Sequence, residues 1–74
     1  MGCDARAHIT GTVWQIRVQP GDRVDRDQEL IVLESMKMEM PVTAPCAGKV
    51  ARIHVAEGQA VAEGDLLVSL DEVS

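Results

Sequence analysis

The chain predicts an all-β domain made of two related halves. Three observations carry that expectation. First, shifting the sequence by 37 residues superposes 11–34 on 48–71 with eight identities: Gly11/Gly48, Val13/Val50, Ile16/Ile53, Val18/Val55, Gly21/Gly58, Val24/Val61, Leu30/Leu67 and Leu33/Leu70. Two copies are too few for a solenoid, so the halves should share one core about a pseudo-twofold axis. Second, Trp14, Ile16 and Val18 alternate with Gln15 and Arg17, and Ala51, Ile53 and Val55 alternate with Arg52 and His54. That period of two belongs to a strand with one buried face. Third, ten Val, four Ile and three Thr favour strands over helices.

Each copy is read in the same order. The first strand stops at Gln19-Pro20-Gly21-Asp22 and at Ala56-Glu57-Gly58-Gln59, where equivalent glycines imply a tight turn with positive φ. A short apolar contact follows (Val24; Val61), then a second turn (Arg26-Asp27; Glu63-Gly64-Asp65), then a second strand (Leu30 to Leu33; Leu66 to Leu70). Val13 and Val50 break the alternation in both copies; a bulge would do this, but the pattern alone does not account for it. The stretch 22–40 lacks Gly and Pro and would allow a helix with Leu33, Met36 and Met40 on one face. Gly64 interrupts the matching segment of the second copy and argues for strands.

Seventy-four residues make a single domain, 1–74, too small for a deep enclosed active site. A hydrophobic share of 46% excludes a disordered tail. A net charge of −5 and a single aromatic residue, Trp14, give neither a phosphate-tracking groove nor a stacking platform, which excludes nucleic acid as a partner. No apolar run approaches the ~18 residues of a membrane span, and the first residues lack an apolar signal core. Cys3 and Cys46 are therefore read as free thiols in a reducing compartment, the cytoplasm.

Catalytic machinery is not legible. The three serines sit in no nucleophile elbow, the cysteines and histidines match no zinc-ligand spacing, and the carboxylates scatter over turns and strand ends. No catalytic residue and no metal ligand is expected.

One segment stands apart, Glu34-Ser35-Met36-Lys37-Met38-Glu39-Met40, where three methionines alternate around one of only two lysines. A strand ending near Ser35 and restarting near Met38 would put Lys37 at a hairpin tip; its mate in the repeat is Ser74, so no second such tip exists. In one reading the methionines fill core gaps and Lys37 is a solvent charge. In the other, Lys37 is an amine presented for modification. An exposed ammonium is almost wholly protonated at neutral pH, so acylation would need an activated donor and an enzyme to deprotonate it. A rigid hairpin would limit the entropy lost on docking to that enzyme.

Met36-Lys37-Met38, preceded by Glu34-Ser35 and followed by Glu39-Met40-Pro41-Val42-Thr43-Ala44-Pro45 and Gly48-Lys49-Val50, resembles the attachment motif of the biotinyl/lipoyl carrier domain family. The resemblance runs from about Ala5 to Leu70 and includes the repeat. It implies a flattened β-barrel, a barrel-sandwich hybrid of two four-stranded antiparallel sheets with pseudo-twofold symmetry. It implies biotin joined by an amide to the Lys37 amine by a biotin protein ligase, with Glu34, Ser35, Met36, Met38 and Glu39 as the ligase's recognition residues. The role so implied is a non-catalytic carrier, a monomer in isolation, that takes a carboxyl group from a biotin carboxylase to a carboxyltransferase. Ser35 stands where family motifs often have Ala. The equal length of the two copies leaves no room for the protruding segment found in carriers of bacterial acetyl-CoA carboxylase. The likeness is therefore to free-standing attachment proteins or to the C-terminal domain of a larger carboxylase, and the initial Met favours the former. The same fold also admits lipoate on Lys37, or an unmodified adaptor hairpin; the two methionines favour biotin.

Overall fold

The computed structural model describes residues 2–72. Among them there are eight strands and no helix: β1 (Gly2–Arg6), β2 (Gly11–Ile16), β3 (Arg23–Val24), β4 (Glu29–Ser35), β5 (Met38–Thr43), β6 (Gly48–Ile53), β7 (Ala60–Val61) and β8 (Leu66–Glu72). They form two antiparallel four-stranded sheets, ordered β1-β8-β6-β3 and β5-β4-β2-β7. The 37-residue shift maps β1 to β4 onto β5 to β8, so it turns one sheet into the other. Each sheet takes two long strands from one half and two flanking strands from the other.

The repeat extends to individual backbone bonds. Gly21 N–H donates to the Val50 carbonyl (2.8 Å) and Gly58 N–H to that of Val13 (2.7 Å), while Asp27 N–H donates to Ala44 and Gly64 N–H to Ala7. Every one of these bonds crosses between halves. The turns close in the same way: the Asp22 and Gln59 side chains accept from Gln19 N–H and Ala56 N–H, and those of Gln28 and Asp65 from Asp25 N–H and Ala62 N–H. Gly21 and Gly58 hold φ of 97° and 90°, as expected from their place in the turns. Asp27, the mate of Gly64, adopts the same left-handed φ without being glycine.

The core lies between the sheets. Leu30, Ile31, Leu33, Leu67, Val68 and Leu70 from the two long strands β4 and β8 are fully buried, with Val13 and Val50 facing them and Val24 and Val61 closing the sides. Among the described residues no charged or polar side chain is buried.

Two expectations are corrected. The alternation Trp14-Ile16-Val18 does not define the buried face at its start, because Trp14 is 41% exposed and Val13 is in the core. The cause is a bulge: the β2–β4 register shifts between Val13 and Gln15, and the β6–β8 register shifts at the equivalent Val50 and Arg52. Trp14 and Ala51 are the extra residues and turn outward, so both strands change parity there. The strands also stop at Ile16 and Ile53, before the turns that were expected to end them.

The second correction concerns the cysteines. Cys3 and Cys46 are joined in a disulfide, with Cα atoms 6.5 Å apart, and are not free thiols. Cys3 stands on edge strand β1 and Cys46 in the connection before β6, segments that the twofold packing brings together although 43 positions separate them in sequence. No described helix is long and apolar enough to cross a membrane.

Candidate functional site

Strands β4 and β5 pair up to Ser35 opposite Met38, which leaves Met36 and Lys37 as a two-residue loop. Both lie in the left-handed region, with φ of 51° and 64°. This is the pattern of a type I′ turn, whose twist matches that of the paired strands. Asn-Gly is the usual occupant, and the left-handed conformation costs other L-residues about 1–2 kcal/mol each. The ladder from Glu29/Thr43 to Ser35/Met38 holds Met and Lys in it.

The hairpin puts Lys37 in solvent beside two exposed methionines, Met36 at 91% and Met38 at 61%. Among the described residues the one ion pair joins Arg6 to Asp4, so neither Glu34 nor Glu39 holds the Lys37 ammonium. Those two glutamates face each other across β4 and β5, both exposed. Like charges placed directly opposite are destabilising. Ser35 is half-buried at the foot of the turn. All six residues singled out in the sequence are thus brought together at one tip. Lys49, by contrast, lies along the middle of a sheet, paired with Arg23 on one side and Asp71 on the other.

Two features of this tip escaped sequence reasoning. The positive φ at Met36 and Lys37 has no local signal, because neither residue type favours it. Ile9 joins Ser35, Met36, Met38 and Met40 around a shallow cleft of about 180 Å³; it comes from the β1–β2 connection, far from the tip in sequence, so no local pattern places it there. Away from the tip, His54 Nε2 lies 2.8 Å from Ser69 Oγ on the surface. Among the described residues no carboxylate bonds that imidazole, so the pair lacks the orienting group a nucleophile would need.

What the tip offers chemically is a solvent-facing primary amine at the apex of a paired hairpin, with no ion-pair partner among the described residues. That suits a group attached through an amide. Residues 5–70 match the family model described as "Biotin-requiring enzyme". The chain belongs to the biotinyl/lipoyl attachment family. A "Biotinylated protein TB7.3 homolog" of Mycobacterium leprae (strain TN) is 42% identical to this attachment domain over 67 residues, 90% of this chain and 94% of that protein. A solved single-chain, multi-domain long-chain acyl-CoA carboxylase contains the same fold at a TM-score of 0.90 and 33% identity, over 97% of this attachment domain and 7% of that chain. The lipoyl domain of the Azotobacter vinelandii 2-oxoglutarate dehydrogenase complex superposes at 0.74 with 37% identity, covering 88% of this chain and 82% of that domain.

Proposed function

We propose that this attachment domain is a biotin carboxyl carrier, modified on the Lys37 amine by a biotin protein ligase. The single observation that carries the reading is the Lys37 apex, a two-residue turn between exposed methionines in a chain of this family. When attached, biotin supplies the group that holds a carboxyl in transit from a biotin carboxylase to a carboxyltransferase. The chain's own part is mechanical. The β4–β5 hairpin holds the amine clear of the sheets, so a flexible arm built on it keeps its end at high effective concentration near two separate active sites. Nothing in that role asks the domain for a catalytic group. Glu34, Ser35, Met36, Met38 and Glu39 form the surface that a ligase must cover to reach Lys37, and we assign recognition to them. A basic rim on the partner would relieve the Glu34/Glu39 repulsion on docking.

Co-expression with a biotin protein ligase tests this. Intact mass should show one biotinyl group, avidin should capture the product, and Lys37→Ala should abolish both while Lys49→Ala leaves them unchanged. Capture that survives Lys37→Ala would overturn the assignment. The lipoyl domain that shares the fold supports lipoate as the second reading. Replacing both Met36 and Met38 should move acceptance toward a lipoyl ligase, and no such shift would remove these methionines from the choice of cofactor.

A further inference from the structure

The end of the molecule related by the twofold to the Lys37 tip carries different chemistry. The 37-residue shift takes Met40, Ile9 and Ser35, which line the cleft beside Lys37, to Cys3, Cys46 and Glu72. The fold does not call for that change, since the tip end keeps its shape with an apolar pair and a serine. One ligand atom from each of Cys3, Cys46 and Glu72 lies within 4.8 Å of the other two. They come from three separate segments: β1, the connection before β6, and the end of β8. No linear spacing rule could have grouped them, which is why the sequence showed no metal motif.

We propose that, with its disulfide reduced, this end binds a thiophilic divalent cation of the zinc class through Cys3, Cys46 and Glu72. Two thiolates and a carboxylate form a donor set that zinc takes in tetrahedral sites, with water in the fourth position. At Zn–S distances of ~2.3 Å, tetrahedral geometry separates two sulfurs by roughly 3.8 Å. Reduction lets the bonded sulfurs move apart to that span while the two Cα atoms keep a separation near their 6.5 Å. Cys46 is buried, Cys3 half-buried and Glu72 exposed, so the cation enters from the carboxylate side.

Opening the site takes two electrons and two protons from a dithiol, which becomes a disulfide as the Cys3–Cys46 bond becomes two thiols. Binding then releases the two thiol protons to solvent as the thiolates coordinate. The oxidised chain has no thiolate to offer and does not bind. Disulfide and metal site are thus alternative states of one pair of cysteines, and the cation, like the bond, ties β1 to the body of the domain.

The test uses the full 74-residue chain with Co²⁺ as the probe and a phosphine as reductant, so that no added thiol competes. The reduced protein should develop a near-ultraviolet thiolate-to-cobalt charge-transfer band that saturates at one equivalent and is bleached by Zn²⁺; the oxidised protein should not. Cys3→Ser and Cys46→Ser should each remove the band, with far-ultraviolet circular dichroism confirming that the variants are folded. Glu72→Gln should weaken binding by at least the ~10-fold at which even outer-shell changes begin to tell. A folded, reduced chain without the band overturns the proposal. So does Glu72→Gln binding as tightly as the native chain, which would leave a dithiol and no three-ligand site. If reduction alone unfolds the chain, Zn²⁺ must refold it, and failure to do so overturns the proposal equally. Lys37→Ala should leave cobalt binding unchanged, so this site and the carrier assignment stand or fall separately.

Discussion

Met36 and Lys37 hold a backbone conformation that neither favours, at the one place where their side chains are most exposed. The turn would be more stable with the residues that type I′ geometry prefers, so chemistry and conformational preference conflict there. The double change Met36→Asn with Lys37→Gly should raise unfolding stability by about 1–2 kcal/mol in urea titrations, and it should remove every trace of modification. A loss of stability would mean that the hairpin relies on contacts of Met36 and not on strand pairing. The identity of the lysine was legible because Met-Lys-Met is a local string. Its left-handed φ was not, since that conformation is set by the register of β4 on β5 and not by the residues that adopt it.

Strands β2 and β6 show how one inserted residue decides which side chain is core. Val13 N–H donates to Gln59 and the Val13 carbonyl accepts from Gly58, so the strand turns to meet the glycine turn of the other half at that point. The bulge that follows puts Trp14 outside. Val13→Ala should therefore cost about 2 kcal/mol, counting two lost carbons and the cavity they leave. Trp14→Ser should stay within about 0.5 kcal/mol despite removing the chain's one aromatic ring. Urea unfolding of the two variants checks this, and the opposite ranking would restore Trp14 to the buried face that simple alternation gave it. The glycine before each bulge has a packing reason of its own. A Cβ on Gly11 would come 2.6 Å from the Glu34 carbonyl oxygen, and one on Gly48 would collide with that of Asp71. The repeat showed both glycines and the broken parity of Val13 and Val50. It did not show that Trp14 is the residue displaced, because a bulge is a matter of hydrogen-bond pairing across strands.

The two halves are interleaved more than they are stacked. Each sheet needs strands from both, and each glycine turn bonds to the opposite copy. Residues 1–37 and 38–74 expressed separately should each be unfolded by circular dichroism, and mixing them is the one route by which β structure should return. A folded isolated half would contradict the shared core. The disulfide adds a second tie. Closing a loop between positions 43 apart is worth about 4 kcal/mol in the chain-entropy description, so metal-free reduction or Cys3→Ser should lower the unfolding free energy by roughly that amount, measured by urea titration with and without reductant. Equal curves would show that the bond constrains nothing. The central strands of each half, the repeat and the lysine were legible along the chain, since alternation and a short motif are local and the shared glycines appear once the sequence is laid against itself. The partner of each cysteine, the outward turn of Trp14, the Ile9 wall of the cleft and the meeting of Cys3, Cys46 and Glu72 depend on which segments lie side by side once the sheets close. Those distances follow from packing the whole core at once, and they leave no mark on residue order.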